Sequence, residues 1–272
     1  MKTSSFTVTL ALKIGIVIVL LLMGSGPSLA ASTLRQSEGA NRGVNRVADA
    51  SGAIRPGFDA YSLPANDDES TVDPVSLGFA VNFYGLPFSS LYVNNNGNVT
   101  FDGGLYQYTP DDLTSTGRQI IAPFWADVDT RGSGLVTYGT GSVDNRPAFG
   151  VNWINVGYYS YKVDKLNSFQ LIIIDRSDIA VGDFDFEFNY DKVQWETGDY
   201  SGGTNGLGGN SARAGYSNGT GKPGTSFELR GSAMPGSFLD TNSVILYRIL
   251  DCDNAVSITK KWDCHLRQPR VC

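Results

Sequence analysis

The sequence predicts an all-β protein: an antiparallel β-sandwich, or a jelly-roll-like fold, forming a single domain with glycine-rich loops. Two features of the chain predict this fold class. Apolar side chains recur at every second position in several short segments, as in strands with one buried face. The 32 glycines, together with Asn, Asp and Pro, stand between those segments and favour turns. Many short strands separated by turns are typical of sandwiches and jelly rolls.

Residues 75–83 and 183–190 show the clearest strand pattern. Apolar residues occupy alternate positions along residues 75–83. In residues 183–190 the aromatic side chains alternate with Asp183, Asp185 and Glu187, so the two sets point to opposite sides. We expect the acidic side to face water, because like charges along one strand repel each other.

An Asn-Gly pair predicts a β-hairpin in the middle of the chain. Residues 91–93 and 99–101 favour strands, and residues 94–98 between them read Asn-Asn-Asn-Gly-Asn. Asn and Gly tolerate the positive φ that tight hairpin turns need. Residues 201–211 predict a long glycine-rich loop. Further strands are expected at residues 120–125, 135–138, 148–156, 169–174 and 244–250.

Residues 1–30 predict a cleaved secretory signal peptide, which makes the protein extracellular. Lys2 and Lys13 precede a short apolar run, and Ser28 and Ala30 are small residues at the positions that a signal peptidase reads. An uncleaved membrane anchor is the alternative. The run is shorter than the roughly 20 apolar residues of a comfortable membrane span. We expect no membrane span in the mature chain.

The rest of the chain divides by composition and by its cysteines. The expected segments are a flexible leader at 31–55, the β domain at 56–250 and a cysteine-containing tail at 251–272. Cys252, Cys264 and Cys272 all lie in that tail, where oxidising conditions favour one disulfide. The third cysteine is then free or links two chains into an oligomer. A zinc site that includes His265 is the alternative. However, His265 directly follows Cys264, which does not fit the usual spacing of zinc ligands.

The charge of the chain excludes some partners. The net charge is −6, and without residues 1–30 the chain has 19 basic and 27 acidic side chains. Nucleic acids and anionic membrane surfaces need a basic face, so neither is an expected partner. Cations, neutral ligands and proteins stay possible.

Several blocks in a fixed order resemble the nidogen-like (NIDO) domain family. They are Ile-Ala-Pro-Phe-Trp-Ala-Asp-Val-Asp-Thr at 121–130, Gly-Leu-Val-Thr-Tyr at 134–138, Asn-Ser-Phe-Gln-Leu at 167–171, Phe-Glu-Phe-Asn-Tyr at 186–190 with Val-Gln-Trp at 193–195, and Ala-Gly-Tyr-Ser-Asn-Gly at 214–219. The resemblance implies a secreted, non-enzymatic adhesion module that binds matrix or cell-surface proteins or glycans. It implies no catalytic residue and no cofactor.

Asp127 and Asp129 are the candidate metal ligands. On a strand, both carboxylates would point to the same side, and with Asp111 and Asp112 nearby they offer the oxygen ligands that Ca²⁺ prefers. The alternative, which we favour, is that these acids cap turns or accept hydrogen bonds from backbone amides.

An alternative function, the binding of sugars, is suggested by Tyr158, Tyr159 and Tyr161. If they were exposed, their rings would offer a platform for sugars, and a Ca²⁺- or glycan-binding lectin-like sandwich would result. Tyrosines on a half-buried strand more often pack in the sheet, and we favour that interpretation.

The sequence contains one motif typical of serine hydrolases and two motifs typical of N-glycosylation sites. Ser217 lies in a Gly-x-Ser-x-Gly pattern, but a secreted hydrolase needs a strand-to-helix turn and a histidine there, and His265 in the tail is the single histidine. We therefore expect no enzyme. Asn98 and Asn218 are N-glycosylation acceptors if the source is eukaryotic.

Overall fold

A computed structural model describes residues 53–240 and the backbone of residues 261–266. The described residues form thirteen strands and one short 3-10 turn, Asp199–Ser201. The strands are β1 Tyr61–Ser62, β2 Val75–Phe83, β3 Leu86–Asn94, β4 Asn98–Thr100, β5 Gln119–Trp125, β6 Val128–Asp129, β7 Val136–Val143, β8 Arg146–Tyr158, β9 Lys162–Asp175, β10 Phe184–Lys192, β11 Arg213–Asn218, β12 Ser226–Glu228 and β13 Lys261–Leu266. Within this described part of the chain, no helix has the length and apolar character needed to span a membrane.

The strands form two antiparallel sheets. The first has the order β1-β7-β8-β9-β10-β13, with β6 pairing to β8, and the second has the order β12-β11-β5-β4-β3-β2. The core lies between them: Phe124 of β5 contacts Phe169 of β9, with ring centroids 5.1 Å apart, and Phe83 of β2 contacts Phe184 of β10. The all-β sandwich prediction is confirmed.

The alternating pattern produces this core. The even positions of β10, from Phe184 to Tyr190, are all buried within the main cluster. Two smaller clusters cover outer faces of the sheets. Phe58 packs on the first sheet against Ile172 and Ile174, and Leu113 packs on the second sheet against Trp125. Segments outside the strands therefore shield parts of both sheets.

Most of the predicted strands are confirmed. The hairpin around Gly97 joins β3 to β4, and residues 201–211 contain no strand of the two sheets. Residues 214–218, from the last block that resembles the family, belong to β11, which pairs with both β5 and β12. The expected strand at 244–250 lies outside the described residues.

The acidic side of β10 does not face water along its whole length. Glu187 is 3% exposed, and its two carboxylate oxygens accept hydrogen bonds from Arg55 Nε and Nη2 at 2.7 and 2.8 Å. Asp185 pairs with Arg176. The prediction of a solvated acidic face is wrong for Glu187 because Arg55, from the end of the expected leader, crosses this face and supplies the counter-charge.

Candidate functional site

A cavity of about 200 Å³ opens near the end of β8. Carboxylates and tyrosine rings line it. We call it the acidic pocket and define it by Asp67, Asp68, Tyr108, Asp127, Tyr159 and Tyr200.

The asparagine-rich turn between β3 and β4 is the scaffold of the acidic pocket. Gly97 has a φ of +73°, and a Cβ atom at this position would lie 1.7 Å from the carbonyl oxygen of Phe124. Only glycine allows this approach. The turn then packs against the end of β5, where the Gly97 carbonyl accepts from Phe124 N–H and the Asn96 carbonyl accepts from Ala126 N–H.

Two buried asparagines of this turn connect the segments that carry the acids. Asn95 Nδ2 donates to the carbonyls of Asp67 and Val128, at 2.5 and 2.6 Å. Asn96 Nδ2 donates to Asp68 Oδ1 at 2.8 Å, and its Oδ1 accepts from Val128 N–H at 2.9 Å. Both side chains are fully buried. Because each asparagine bonds to both segments, the turn fixes the acids of residues 67–68 relative to Asp127.

Asp127 occupies a tight turn between β5 and β6. The Val128 N–H donates to the Ala126 carbonyl at 2.9 Å, which closes a three-residue turn around Asp127. The residue is 2% exposed, and its Oδ2 has no hydrogen-bond partner among the described residues. A Cβ atom on Gly198 would lie 2.2 Å from that oxygen, so the loop approaches the carboxylate as closely as only glycine allows.

Asp67 has one neutralised oxygen and one that lacks a partner. Its Oδ2 accepts from Arg131 Nη2 at 3.0 Å. Its Oδ1 is shielded from solvent and has no hydrogen-bond partner within the described part of the chain. The ligand oxygens of Asp67, Asp68 and Asp127 all lie within 4.8 Å of one another.

Burial and mutual repulsion change the acidity of these groups. Burial, followed by the nearby charges of Asp67 and Asp68, raises the pKa of Asp127 to about 8. Burial, followed by the charge of Asp129, raises the pKa of Asp67 to about 6. Burial also raises the pKa of Asp68, although its hydrogen bond from Asn96 opposes the shift. The protein therefore holds three carboxylates together, and within the described residues Arg131 pairs with Asp67 but not with Asp68 or Asp127.

Asp129 is in a different environment. Burial alone would raise its pKa, but hydrogen bonds from Arg131 and from the Tyr161 N–H outweigh that effect and lower the pKa. Arg131 Nε and Nη2 donate to its two oxygens at 2.9 and 2.7 Å. Asp127 lies in a turn and not on a strand, so the extended backbone assumed for the pair is not found. Asp127 instead groups with Asp67 and Asp68.

The other two predicted acids take no part in this group. Asp112 accepts hydrogen bonds from the N–H and hydroxyl of Thr114, at 2.7 and 2.6 Å, as the turn-capping alternative expects. Asp111 is exposed.

The tyrosines near the end of β8 divide between packing and exposure. Tyr158 is buried and stacks on Trp195, with ring centroids 5.3 Å apart. The preference for packing is confirmed for this residue. Tyr159 lines the acidic pocket, where its ring meets that of Tyr200 edge to face at 4.7 Å, and its N–H donates to the Asp127 carbonyl. Tyr161 is 56% exposed and lies under the Arg131 guanidinium, 4.1 Å from the ring centroid.

The structure gives Ser217 no nucleophilic geometry. It is 2% exposed and lies in β11, which pairs with a strand on each side, and not in a strand-to-helix turn. Its hydroxyl oxygen accepts a hydrogen bond from the Gly219 N–H at 3.2 Å. The side chain of His265 lies outside the described residues.

Both candidate glycosylation sites are buried. Asn98 is fully buried, with its Nδ2 donating to the Asn96 carbonyl, and Asn218 is 1% exposed. An N-linked glycan needs an accessible amide nitrogen, which neither side chain offers in this fold. Cys252 and Cys272 lie outside the described residues, as does the side chain of Cys264, so the disulfide and zinc predictions do too.

The profile of the nidogen-like domain matches residues 89–242, which is more than half of the chain. The chain belongs to the nidogen-like domain family. The match begins at β3 and includes Asn95, Asn96 and Asp127, whereas Asp67 and Asp68 lie before it.

Curated relatives are similar to this nidogen-like domain over a part of their length. Alpha-tectorin of Mus musculus is 35% identical over 182 residues, which cover 57% of this chain and 8% of the tectorin. Nidogen of Drosophila melanogaster is 30% identical over 138 residues, covering 42% of this chain and 10% of the nidogen. Nidogen-2 of Mus musculus is 43% identical over 79 residues, covering 28% of this chain and 6% of that protein. The alignments thus span about a tenth or less of each relative. No solved structure matches the chain significantly.

Proposed function

We propose that this chain is an extracellular, non-enzymatic binding module that acts in adhesion, through contact with a matrix or cell-surface protein or glycan. Its membership of the nidogen-like family carries this proposal, since the match includes strands of both sheets. The burial of Ser217 within a paired strand supports a non-enzymatic role, because a nucleophile must reach its substrate.

The surroundings of the acidic pocket are the proposed contact surface. Tyr200 is 70% exposed and Tyr161 is 56% exposed. Tyr161 connects to the pocket through Arg131, which stacks over its ring and donates to Asp67. Exposed tyrosines and arginines are enriched at protein interfaces, because they combine a large apolar area with hydrogen-bonding groups.

Binding assays with the full secreted chain test the proposal. Wild-type protein immobilised on a sensor surface should bind solubilised extracellular matrix or intact cells, and Tyr200→Ala and Tyr161→Ala should weaken that binding about tenfold or more. Val181→Ala is the matched control, because Val181 is 91% exposed in the loop between β9 and β10, at the opposite end of β9 from Tyr161. Absence of binding to matrix, cells and the chain itself would remove the proposal.

Glycan binding by a lectin-like sandwich is the second candidate. The edge-to-face pair of Tyr159 and Tyr200 beside carboxylates favours it, because aromatic rings pack on sugar rings while carboxylates accept hydrogen bonds from hydroxyls. A glycan array probed with wild type and Tyr159→Ala separates the two candidates. Signals that disappear in the variant support a lectin, whereas protease-sensitive binding to matrix without array signals supports protein adhesion.

The signal peptide at 1–30 and a disulfide in the tail stay predictions of this proposal. A mass spectrum of the secreted protein under non-reducing conditions tests both. It should show loss of residues 1–30 and the mass of one oxidised cysteine pair.

A further inference from the structure

We propose that the acidic pocket binds Ca²⁺, with Asp67, Asp68 and Asp127 as the protein ligands. The proposal concerns the pocket itself and holds or fails independently of the adhesive role.

The spacing of the three carboxylates fits one cation. Their ligand oxygens lie within 4.8 Å of one another. Ca²⁺ binds oxygens at ~2.3–2.6 Å, so two ligands of the same ion are separated by at most ~5 Å. A single ion between the three side chains therefore satisfies all the distances.

Two oxygens of this group lack a partner, which clustering of acids alone would not require. Asp127 Oδ2 belongs to a residue that is 2% exposed, and Asp67 Oδ1 is shielded from solvent, yet neither accepts a hydrogen bond within the described part of the chain. A buried anionic oxygen without a donor is costly, and folded proteins seldom retain one without a bound ion or water. A cation in the pocket supplies the missing partner to both oxygens.

The charges that face the pocket leave a net negative site. Asp67, Asp68, Asp127 and Asp129 are opposed by Arg131. The donors of Arg131 go to Asp129 and to Asp67 Oδ2, so Asp127 receives none of them. Asp199 adds further negative charge near Asp127, but it pairs with Lys162. A divalent cation would balance the excess.

The chemistry of the donors selects Ca²⁺ among the common cations. The ligands are hard carboxylate oxygens, and no histidine or cysteine side chain is described in this group, which disfavours zinc. Mg²⁺ requires near-ideal octahedral geometry, whereas Ca²⁺ accepts six to eight oxygens in irregular arrangements. The cavity of about 200 Å³ has room for waters to complete such a shell. Tyr159 and Tyr200 line the same cavity, where hydroxyls or carboxylates of a binding partner would replace those waters.

Calcium would also connect two parts of the chain that are distant in sequence. Asp67 and Asp68 precede β2, and Asp127 lies between β5 and β6. A ligand that binds the folded state and not the unfolded state raises the stability of the protein. A melting temperature that rises with calcium concentration is therefore the expected signature.

Calorimetry and thermal unfolding of the full secreted chain, stripped with EDTA, test the proposal. Addition of CaCl₂ should give a single saturable heat, and at a hundredfold excess over Kd the Tm should rise by about 5 °C or more. Asp127→Asn and Asp68→Asn should each weaken Ca²⁺ binding at least tenfold. Asp144→Asn is the charge-matched control: Asp144 lies in the β7–β8 turn, at the far end of β8, and its positive φ of 49° suits asparagine.

Each outcome supports or contradicts the site. Wild-type protein that shows neither heat nor a Tm shift with millimolar CaCl₂ overturns the proposal. A Ca²⁺ response that survives both Asp127→Asn and Asp68→Asn also overturns it, since the ion then binds elsewhere. An equal response to MgCl₂ overturns the assignment to calcium. Far-ultraviolet circular dichroism verifies that each variant keeps its β structure, and Asp68→Asn, at a partly exposed position, gives the reading if Asp127→Asn fails to fold.

Discussion

Two buried carboxylates in this domain, Glu196 and Asp127, have opposite surroundings. Glu196 is fully buried, and its oxygens accept hydrogen bonds from Ser211 Oγ at 2.9 Å, from Gly236 N–H at 2.6 Å and from Phe238 N–H. Asp127 is 2% exposed, and its Oδ2 has no partner among the described residues. Burial raises the pKa of both groups.

The difference shows that burial and a raised pKa do not by themselves identify a binding site. The fold surrounds Glu196 with backbone and hydroxyl donors, and the carboxylate thereby holds the loop at residues 236–238 against the residues before β11. At Asp127 the fold supplies a cavity, two further carboxylates and no donor to Oδ2. The absence of a partner is what suggests a ligand there. Variants at both sites can break or sharpen this comparison.

The largest effect is expected at Glu196. Glu196→Ala leaves the N–H groups of Gly236 and Phe238 and the Ser211 hydroxyl without their shared acceptor in a buried place. We expect the free energy of unfolding to fall by about 3–5 kcal/mol, measured by urea denaturation. The loss should be the same with EDTA and with CaCl₂. A loss below about 1 kcal/mol would mean that Glu196 is not structural.

A smaller effect is expected when a satisfied carboxylate is deprived of its cation. Arg55→Ala removes the guanidinium from Glu187, whose side chain is 4% exposed, while the arginine itself is 29% exposed. Because the pair is partly solvated, we expect a destabilisation of about 2–3 kcal/mol by urea denaturation. In the double variant with Glu187→Gln the loss should be less than the sum of the two single losses, since both remove one interaction. Additive losses would contradict the pairing.

The pH dependence of stability should reveal Asp127. Its folded pKa of about 8 exceeds the ordinary aspartate pKa of 3.8, so the folded state binds the proton more tightly than the unfolded state. Proton binding by Asp127 therefore stabilises the folded state fully below pH 4, and this stabilisation is lost as the pH rises through 8. In EDTA, Asp127→Asn should remove part of this decline and stabilise the protein at pH 8 by about 1–2 kcal/mol. Identical pH profiles of variant and wild type in thermal unfolding would argue that the carboxylate is solvated.

The smallest effect is expected at Tyr161. Tyr161→Ala removes an exposed ring beneath Arg131, but Asp129 still holds the guanidinium through two hydrogen bonds. We expect a change in stability of about 0.5 kcal/mol or less by urea denaturation. A larger loss would show that the ring positions Arg131, and through it Asp67.

The sequence predicted the sheets better than the site, for a physical reason. The alternation in residues 75–83 and 183–190 is a local property of the chain and corresponds directly to β2 and β10. The acidic pocket is not local. Asp67 and Asp127 are brought together by hydrogen bonds of Asn95 and Asn96, and no spacing in the sequence reports those contacts.

Local sequence patterns also do not report where the backbone turns, or which polar side chains are buried. The pairing of Asp127 with Asp129 assumed an extended backbone, whereas Asp127 lies in a tight turn and Asp129 in β6. The Asn-Gly hairpin was predicted correctly, but a turn signal does not tell whether its asparagines face water or the interior. The N-glycosylation motif at Asn98 has the same limit: it does not tell whether the asparagine is accessible, and Asn98 is buried.

The inward-facing turn at residues 94–98 has a practical consequence for engineering. Tags and loop insertions are usually placed at hairpin tips, because such tips are exposed and tolerate change. Here the asparagines of the tip are fully buried and Gly97 contacts the backbone of β5. Inserted residues would therefore clash with the interior of the protein. The hairpin between β7 and β8 is the better position: Asp144 and Asn145 are exposed, and an epitope inserted there leaves the pocket undisturbed.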